Sequence, residues 1–445
     1  MTKLLKRLTL FDLSMIAVGS MIGSGIFLSP AIVMKNAGLP TLVLLLWAVG
    51  GVYALSGALS YSELGAMMPG AGGIYVYLSR IFGPWAGFLY GWIYLTVINS
   101  GSIAALAVAF ATYFGYFVPL SQGGMQAAAI GGIAVLTLIN MRSVKAGALF
   151  SDLFTVLKIL GILGLIAIGL GMGKAGNPEW GFNFGDTGDL GGTVAVAMVA
   201  VFWSFGGWHH TTFLAGEAKR PQKDIPKAMI IGAGSVALIY ILTNLAYFYL
   251  LSPPEIASSS SLAAQAVETV LGPVGGSLIA LVIFISTFGT AGIYTMAAPR
   301  IYFAMASDGI FFKKVAQVHP RFHTPLFAIL FQSVWASLLI LFWGTFENLI
   351  SNVVFTDALF FGLTAVGVIV LRRRQPHAER QFKVPGYPVT PLIFIGISAW
   401  LVVSTLIAKP LQSLAGLGFV LLGFPVYWMW RRGVSPQSKK DVLRG

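Results

Sequence analysis

Gly19-Ser20-Met21-Ile22-Gly23-Ser24-Gly25-Ile26-Phe27 lies in the middle of the first apolar segment, where an unbroken membrane-spanning helix is otherwise expected. Three glycines and two serines fall within the seven residues from Gly19 to Gly25, and glycine tolerates backbone angles that other residues avoid. Inside a bilayer, freed N–H and C=O groups persist only where protein, ligand or cavity water satisfies them. A break at this depth is therefore a candidate binding site. Discontinuous helices offer positive N-terminal dipoles to anions and unwound carbonyls to cations, and a zwitterion carries one charge of each sign. Close helix packing is the competing reading, because Gly19 and Gly23 are spaced as a GxxxG pair.

The rest of the 445 residues agree with a membrane setting. The chain is 57% hydrophobic and only 10% charged, with mean hydropathy +0.83, and such long apolar runs read as membrane spans. Cysteine is absent, which removes any disulfide framework and any disulfide link to a partner subunit. No small-residue cleavage site follows the first apolar run, so that run is expected to be a retained helix.

Hydropathy gives about twelve spans, at residues 9–34, 40–66, 83–118, 125–141, 147–172, 191–215, 227–251, 274–300, 325–343, 348–371, 390–408 and 412–430. The net charge of +13 is not spread evenly over the connections. With the N-terminus inside, one side holds Arg80, Arg142, Lys145, Lys219, Arg220, Lys223, Lys227, Lys313, Lys314, Arg321, Arg372, Arg373, Arg374, Arg380 and Lys383. The tail adds Arg431, Arg432, Lys439, Lys440 and Arg444. The other side holds only Lys35, Lys174 and Lys409. This is the positive-inside pattern, so the basic charge reports topology rather than nucleic-acid binding. It predicts a multi-pass protein of the inner, cytoplasmic membrane with both termini in the cytoplasm. The outer loops, 177–189 with Glu179, Asp186 and Asp189, and 252–268, are too short for a separate domain.

An echo of the first break lies roughly 180–185 residues downstream. The sixth span breaks at Gly206-Gly207, ahead of Trp208-His209-His210-Thr211-Thr212. Four spans follow each break, as in two inverted five-helix repeats with a site between paired broken helices. The expected division is 9–172, 191–371, and two further helices at 390–430, all within one transmembrane domain.

Lys158 is the only basic residue deep within a span. It lies about 16 Å along its helix from Gly147 at 1.5 Å per residue, where a charge costs about 3 kcal/mol on insertion scales. Ser151, Thr155 and Gly161 share its face at three- and four-residue spacing, so that face is expected to look into the bundle. Its charge would be favoured by carbonyls of the first break and by hydroxyls of the eighth span such as Ser286 and Thr287. Trp203 stands just before the second break, where a flat ring either packs or closes the path to a ligand. His209 and His210 project in different directions and form no HExxH pair, so no metal site is expected. Glu63 and Glu217 read either as gates paired with basic loops or as exposed helix-end carboxylates. Asp357 is a lone acid in the tenth span. There is no GxSxG elbow, P-loop or paired-acid constellation, so neither an enzyme nor an ATP-driven pump is indicated, and no cofactor is expected.

Taken in order, the motifs resemble those of the amino acid–polyamine–organocation superfamily, and most closely the L-type amino acid transporters and their bacterial exchangers. The resemblance rests on the segment from Val18 to Phe27, Phe205-Gly206-Gly207-Trp208 with Gly216-Glu217, and Lys219-Arg220-Pro221-Gln222-Lys223-Asp224-Ile225-Pro226. Ser286-Thr287-Phe288-Gly289, Pro299-Arg300, Asp308-Gly309, His319-Pro320 and Thr324-Pro325 extend it over nearly the whole chain. It implies an all-α fold of the LeuT type, with a 5+5 inverted repeat and broken helices 1 and 6. It also implies a substrate site of Ser20, Gly23, Ser24, Gly25, Ile26, Trp203, Ser204, Gly206 and Gly207. There the amides of Gly23, Ser24 and Gly25 take the substrate carboxylate, and carbonyls near Ser20, Trp203, Ser204 and Gly206 take its amino group. Space left by the missing side chain of Gly25 is expected to admit that carboxylate. The resemblance makes Trp203 the aromatic gate, and Lys158 the coupling residue in place of a sodium ion. The departures are tryptophan where L-type members usually carry phenylalanine, His209 where they often carry asparagine, and the lack of cysteine. The expected function is sodium-independent exchange of neutral L-amino acids by alternating access. The alternatives are proton symport and antiport of cationic amino acids or polyamines.

Overall fold

The computed structural model describes residues 4–173, 180–181, 190–343 and 346–432. Apart from Trp180 and Gly181, the expected outer loop at 177–189 lies outside the described residues, as do Lys174 and the tail residues Lys439, Lys440 and Arg444. Among the described residues every regular element is helical, and the sole strand-like feature is a parallel bridge between Leu8 and Ala218. The first half of the chain contains α1 Leu10–Met21, α2 Gly25–Ala37, α3 Pro40–Met67, α4 Ile74–Phe82 and α5 Pro84–Ile93. A π turn, Tyr94–Ile98, joins α5 to α6 Asn99–Phe117, followed by α7 Gln122–Arg142 and α8 Val144–Met172. The second half contains α9 Leu190–Phe205, α10 His210–Phe213, α11 Pro221–Leu250, α12 Pro253–Ser258, α13 Leu262–Ala297 and α14 Pro299–Ser307. It closes with α15 Leu326–Trp343, α16 Phe346–Arg374, α17 Val389–Ala408 and α18 Pro410–Arg432.

Among the described residues, ten helical runs are long and apolar enough to cross a membrane, and Gly192–Phe205 and Leu326–Phe342 are shorter apolar helices. Burial separates centre from periphery. The runs Leu10–Ala37 and Pro84–Phe117 are 89% and 94% buried, against 28% for Val389–Ala408 and for Pro410–Trp430. The broken first helix is thus a core element, whereas the last two helices form an outer layer. α2 packs on α9, α1 on α8 and α11, and α13 on α6 and α8, which brings the two breaks together.

One boundary differs from the sequence expectation. The loop expected over 252–268 is largely helical, because Ser252 and Glu255 form a capping box with two prolines in the first turn of α12. Glu255 accepts from the Ser252 hydroxyl at 2.6 Å and its N–H at 2.8 Å, which holds its carboxyl below the usual range. The eighth span then begins early, at Leu262, and turns at Gly272, where φ is 64°.

Candidate functional site

The first helix breaks where glycine density predicts. α1 ends as Ile22 turns to φ −78°, ψ 85°, Gly23 N–H folds back to the Met21 carbonyl, and α2 restarts from Ser24. Every carbonyl from Gly19 to Gly23 that accepts from a side chain does so from a neighbouring helix. Lys158 of α8 is fully buried, and its ammonium donates to Gly19 O, Ile22 O and Thr290 Oγ1, each at 2.6 Å. Ser286 of α13 donates to Ile22 O and Gly23 O at 3.1 Å. The Tyr240 hydroxyl of α11 reaches Met21 O at 2.7 Å and Ser204 O at 3.0 Å, spanning both breaks. Pro30 leaves the Ile26 carbonyl without its usual helical donor, and the Tyr247 hydroxyl supplies one at 3.3 Å.

The donors are treated differently. A helix start leaves its first N–H groups without acceptors. Among the described residues, none accepts from the amides of Ser24, Gly25 or Ile26. The first break therefore has its acceptors occupied and its donors open, on the positive end of α2.

The second break lies directly against the first. Gly207 has φ 117°, and a Cβ there would stand 2.7 Å from the Ser20 carbonyl carbon and oxygen, so only glycine fits. Ser20 Oγ donates to Gly207 O at 2.8 Å. Gly25 makes a similar approach, because a Cβ would meet Ser204 Cα at 2.7 Å. The space expected to receive a carboxylate beside Gly25 is filled by Ser204, and this glycine is required by packing. Gly19 also packs closely, on Thr155 and Ile293, so packing and a break coexist in one segment. Trp203 lies across the junction, its indole N–H donating to Ser24 Oγ at 3.4 Å. Of the carbonyls expected near a substrate amino group, Trp203 O accepts from Gly206 N–H at 3.3 Å, and Ser204 O from Tyr240.

Other candidates separate by their partners. Thr287 turns back to its own helix, donating to Ile283 O and Phe284 O. The hydroxyl beside Lys158 is instead that of Thr290, four residues beyond Ser286 on the same face. Glu63 and Glu217 are buried, not exposed. Glu63 accepts from Arg372 at 2.6 and 2.9 Å, Arg380 at 3.0 Å and Val384 N–H at 2.8 Å. Glu217 pairs with Arg300 at 2.7 and 3.0 Å, and Arg300 also donates to Met296 O. The Glu217 carbonyl accepts from the backbone of Arg7 and Leu8, and Lys219 N–H returns to Leu8 O, all at 2.9 Å. His210 is satisfied by Tyr94 OH at 2.9 Å and Gly207 O at 2.8 Å. Both ring nitrogens of His209 lack partners among the described residues, and its ring stacks on His210 at 4.5 Å. No group of three or more histidines and acids among the described residues is arranged to hold a metal ion. A cavity of about 30 Å³ borders the second break and is lined by Trp203, Gly206, Tyr294, Asp357 and Phe361 among others. Residues of the first break are not among its lining.

A bundle centred on two apposed helix breaks defines an all-α membrane protein of the LeuT-type, broken-helix class. A family model described as amino acid permease matches residues 8–429, and the chain belongs to that family, within the amino acid–polyamine–organocation superfamily. It is 34% identical to the large neutral amino acids transporter small subunit 2 of Mus musculus, over 99% of this chain and 84% of the relative. It is 34% identical to the serine/threonine exchanger SteT of Bacillus subtilis (strain 168), over 94% and 95%. The b(0,+)-type amino acid transporter 1 of Homo sapiens is 32% identical, over 96% and 88%. Family and relatives are multi-pass membrane transporters of amino acids.

Proposed function

We propose that this protein is a sodium-independent secondary transporter exchanging neutral L-amino acids across the cytoplasmic membrane by alternating access. One observation carries the reading. The freed carbonyls of the first break are occupied by Lys158, Thr290, Ser286 and Tyr240, while the amides of Ser24, Gly25 and Ile26 stay open at a helix N-terminus. Such a site receives a carboxylate and leaves no free oxygen cage for a sodium ion. Ser20, Gly23, Ser24, Gly25 and Ile26 form the carboxylate side. Trp203, Ser204, Gly206 and Gly207 form the side facing the amino group, and Trp203 closes the path. Lys158 acts as a fixed cation bracing α1, α8 and α13. The repeats on this reading are 9–172 and 191–371, with 390–430 outside them, and the basic loops support a cytoplasmic position for both termini.

Two relatives are named for neutral substrates, large neutral amino acids in one and serine and threonine in the other. The absence of cysteine from the 445 residues argues against a disulfide to a heavy subunit. Purified protein in liposomes loaded with one amino acid tests the reading by counterflow of another. Saturable, stereoselective exchange that is unchanged when choline replaces sodium is expected. Strict sodium dependence, or net uptake that follows an imposed pH gradient, would overturn it.

A further inference from the structure

A second cavity, of about 430 Å³, has no residue of either break in its lining. It opens between α2, α9, the end of α12 and Lys409, which follows α17. One wall is apolar, built from Ile32 of α2 and from Val196, Val199 and Ala200, which share a face of α9. The rim is polar, with Lys35, Asn36, Lys409 and the run Ser258-Ser259-Ser260. Among the described residues no aspartate or glutamate lines it. Glu255, the acid nearest in sequence to the serine run, is already held by the N–H and hydroxyl of Ser252. The volume falls within the range of about 300–1,000 Å³ that small-ligand pockets occupy.

Lysines at the ends of membrane helices ordinarily do two plainer things. They complement the negative C-terminal dipole, and they snorkel, holding the ammonium at the level of the lipid head groups. Both lysines here end helices, since Lys35 lies in the last turn of α2 and Lys409 caps α17. Neither effect requires lysines of two different helices to converge. Yet of the three lysines expected on the side opposite the basic loops, Lys35, Lys174 and Lys409, two line this one cavity. The rim also adjoins lipid. Ile407 and Leu411, two residues to either side of Lys409, are 76% and 77% exposed, and apolar side chains left bare on a membrane protein face acyl chains. Two cations above an apolar wall at that boundary complement an anionic head group above an acyl chain. A free anion makes no use of the wall, and a zwitterionic head group carries its own cation toward the lysines.

We propose that this cavity binds an anionic phospholipid, with its head-group phosphate between Lys35 and Lys409 and an acyl segment along Ile32, Val196 and Val199. The bound lipid bridges α2, which follows the first break, and α9, which precedes the second, so its occupancy ties those two half-helices together. To test this, detergent-purified protein is titrated with dioleoyl phosphatidylglycerol or dioleoyl phosphatidylcholine. Bound lipid is measured by native mass spectrometry, a readout that does not depend on transport. Phosphatidylglycerol is expected to bind at least about fivefold more tightly than phosphatidylcholine. Combining Lys35→Gln with Lys409→Gln is expected to remove at least about fivefold of that affinity, whereas Lys35→Arg with Lys409→Arg keeps the charge and retains most of it. Ala257→Phe narrows the cavity without changing charge and also weakens binding, and Ala257→Leu gives the same readout should the phenylalanine variant fail to accumulate. Lys313→Gln with Lys314→Gln removes an equal charge from exposed lysines of another loop and leaves affinity within about twofold, since distant exposed charges are screened. Equal affinity for the two lipids, or equal loss from both glutamine pairs, would overturn the site in favour of unspecific charge attraction. Full affinity in both Ala257 variants would overturn the cavity as the place of binding. Displacement of the lipid by an equal concentration of inorganic phosphate would overturn the lipid in favour of a free anion.

Discussion

The two breaks have similar glycine signatures but are held in opposite ways. At the first, side chains from three neighbouring helices occupy the freed carbonyls, and the junction is crowded. At the second, Gly206 has room, Trp203 and Gly206 border a cavity, and His209 and Asp357 keep polar atoms without partners among the described residues. On the proposed function, the first break is the fixed receptor for groups common to all α-amino acids, and the second is the half that differs among substrates. A glycine pattern marks where a helix stops, and the neighbouring helices decide what the stop is for.

Alanine at one glycine of each break challenges this contrast most directly. Gly25→Ala forces Cβ against the Ser204 backbone, which costs about 1–3 kcal/mol as overpacking. Gly206→Ala meets its nearest atom, Trp203 O, at 3.4 Å, in ordinary contact. Thermal melting of the detergent-solubilised proteins is expected to fall for the first and hold within a few degrees for the second. Equal loss would mean that both junctions are equally tight.

Removing the ammonium at the first break is next in size. Lys158→Met leaves Gly19 O to Thr290 alone and Ile22 O to Thr290 and Ser286, and counterflow is expected to drop at least about tenfold while the protein still inserts, since truncating a charged hydrogen-bonding group removes roughly 1.5–3 kcal/mol. Full activity would remove Lys158 from the receptor. At the gate, Trp203→Ala is expected to lose exchange several-fold, about fivefold, by exposing the bound substrate to water, with Trp203→Phe retaining most of it. Three equal rates would reduce Trp203 to packing. The smallest effect belongs to Tyr240→Phe, which removes a hydroxyl that α11 donates to both breaks. A loss near 1 kcal/mol should be read as a several-fold rise in apparent KM, and no rise would uncouple the two halves.

Much of the fold was legible because its signals are local. Apolar runs mark the helices long enough to span, and clustered glycines mark both breaks. Lys158 was legible for the same reason, as an isolated charge at mid-membrane depth. What escaped depends on rotation about helix axes and on distant partners. Thr287 and Thr290 are both polar residues on α13, yet only Thr290 faces Lys158. Its spacing of four from Ser286 was the available clue. Nothing in the local sequence of Tyr240, Tyr247 or Arg300 announces that each partners a break or its flank, because those partners lie tens or hundreds of residues away. The contact that demands glycine at position 25, with Ser204 on the other broken helix, was likewise out of reach of the local sequence.

The parallel bridge at Leu8 and Ala218 has a kinetic consequence. It sews the start of the first broken helix to the end of the second, and Glu217 belongs both to that seam and to the buried pair with Arg300. Removing one partner of such a pair strands the other charge, at about 3–5 kcal/mol. The two half-helices on the basic side therefore share a single clasp and cannot part from their neighbours one at a time. On the proposed alternating-access cycle, opening toward that side then becomes a single event with one barrier, and the lifetime of the closed state is set there, far from the groups proposed to choose the substrate.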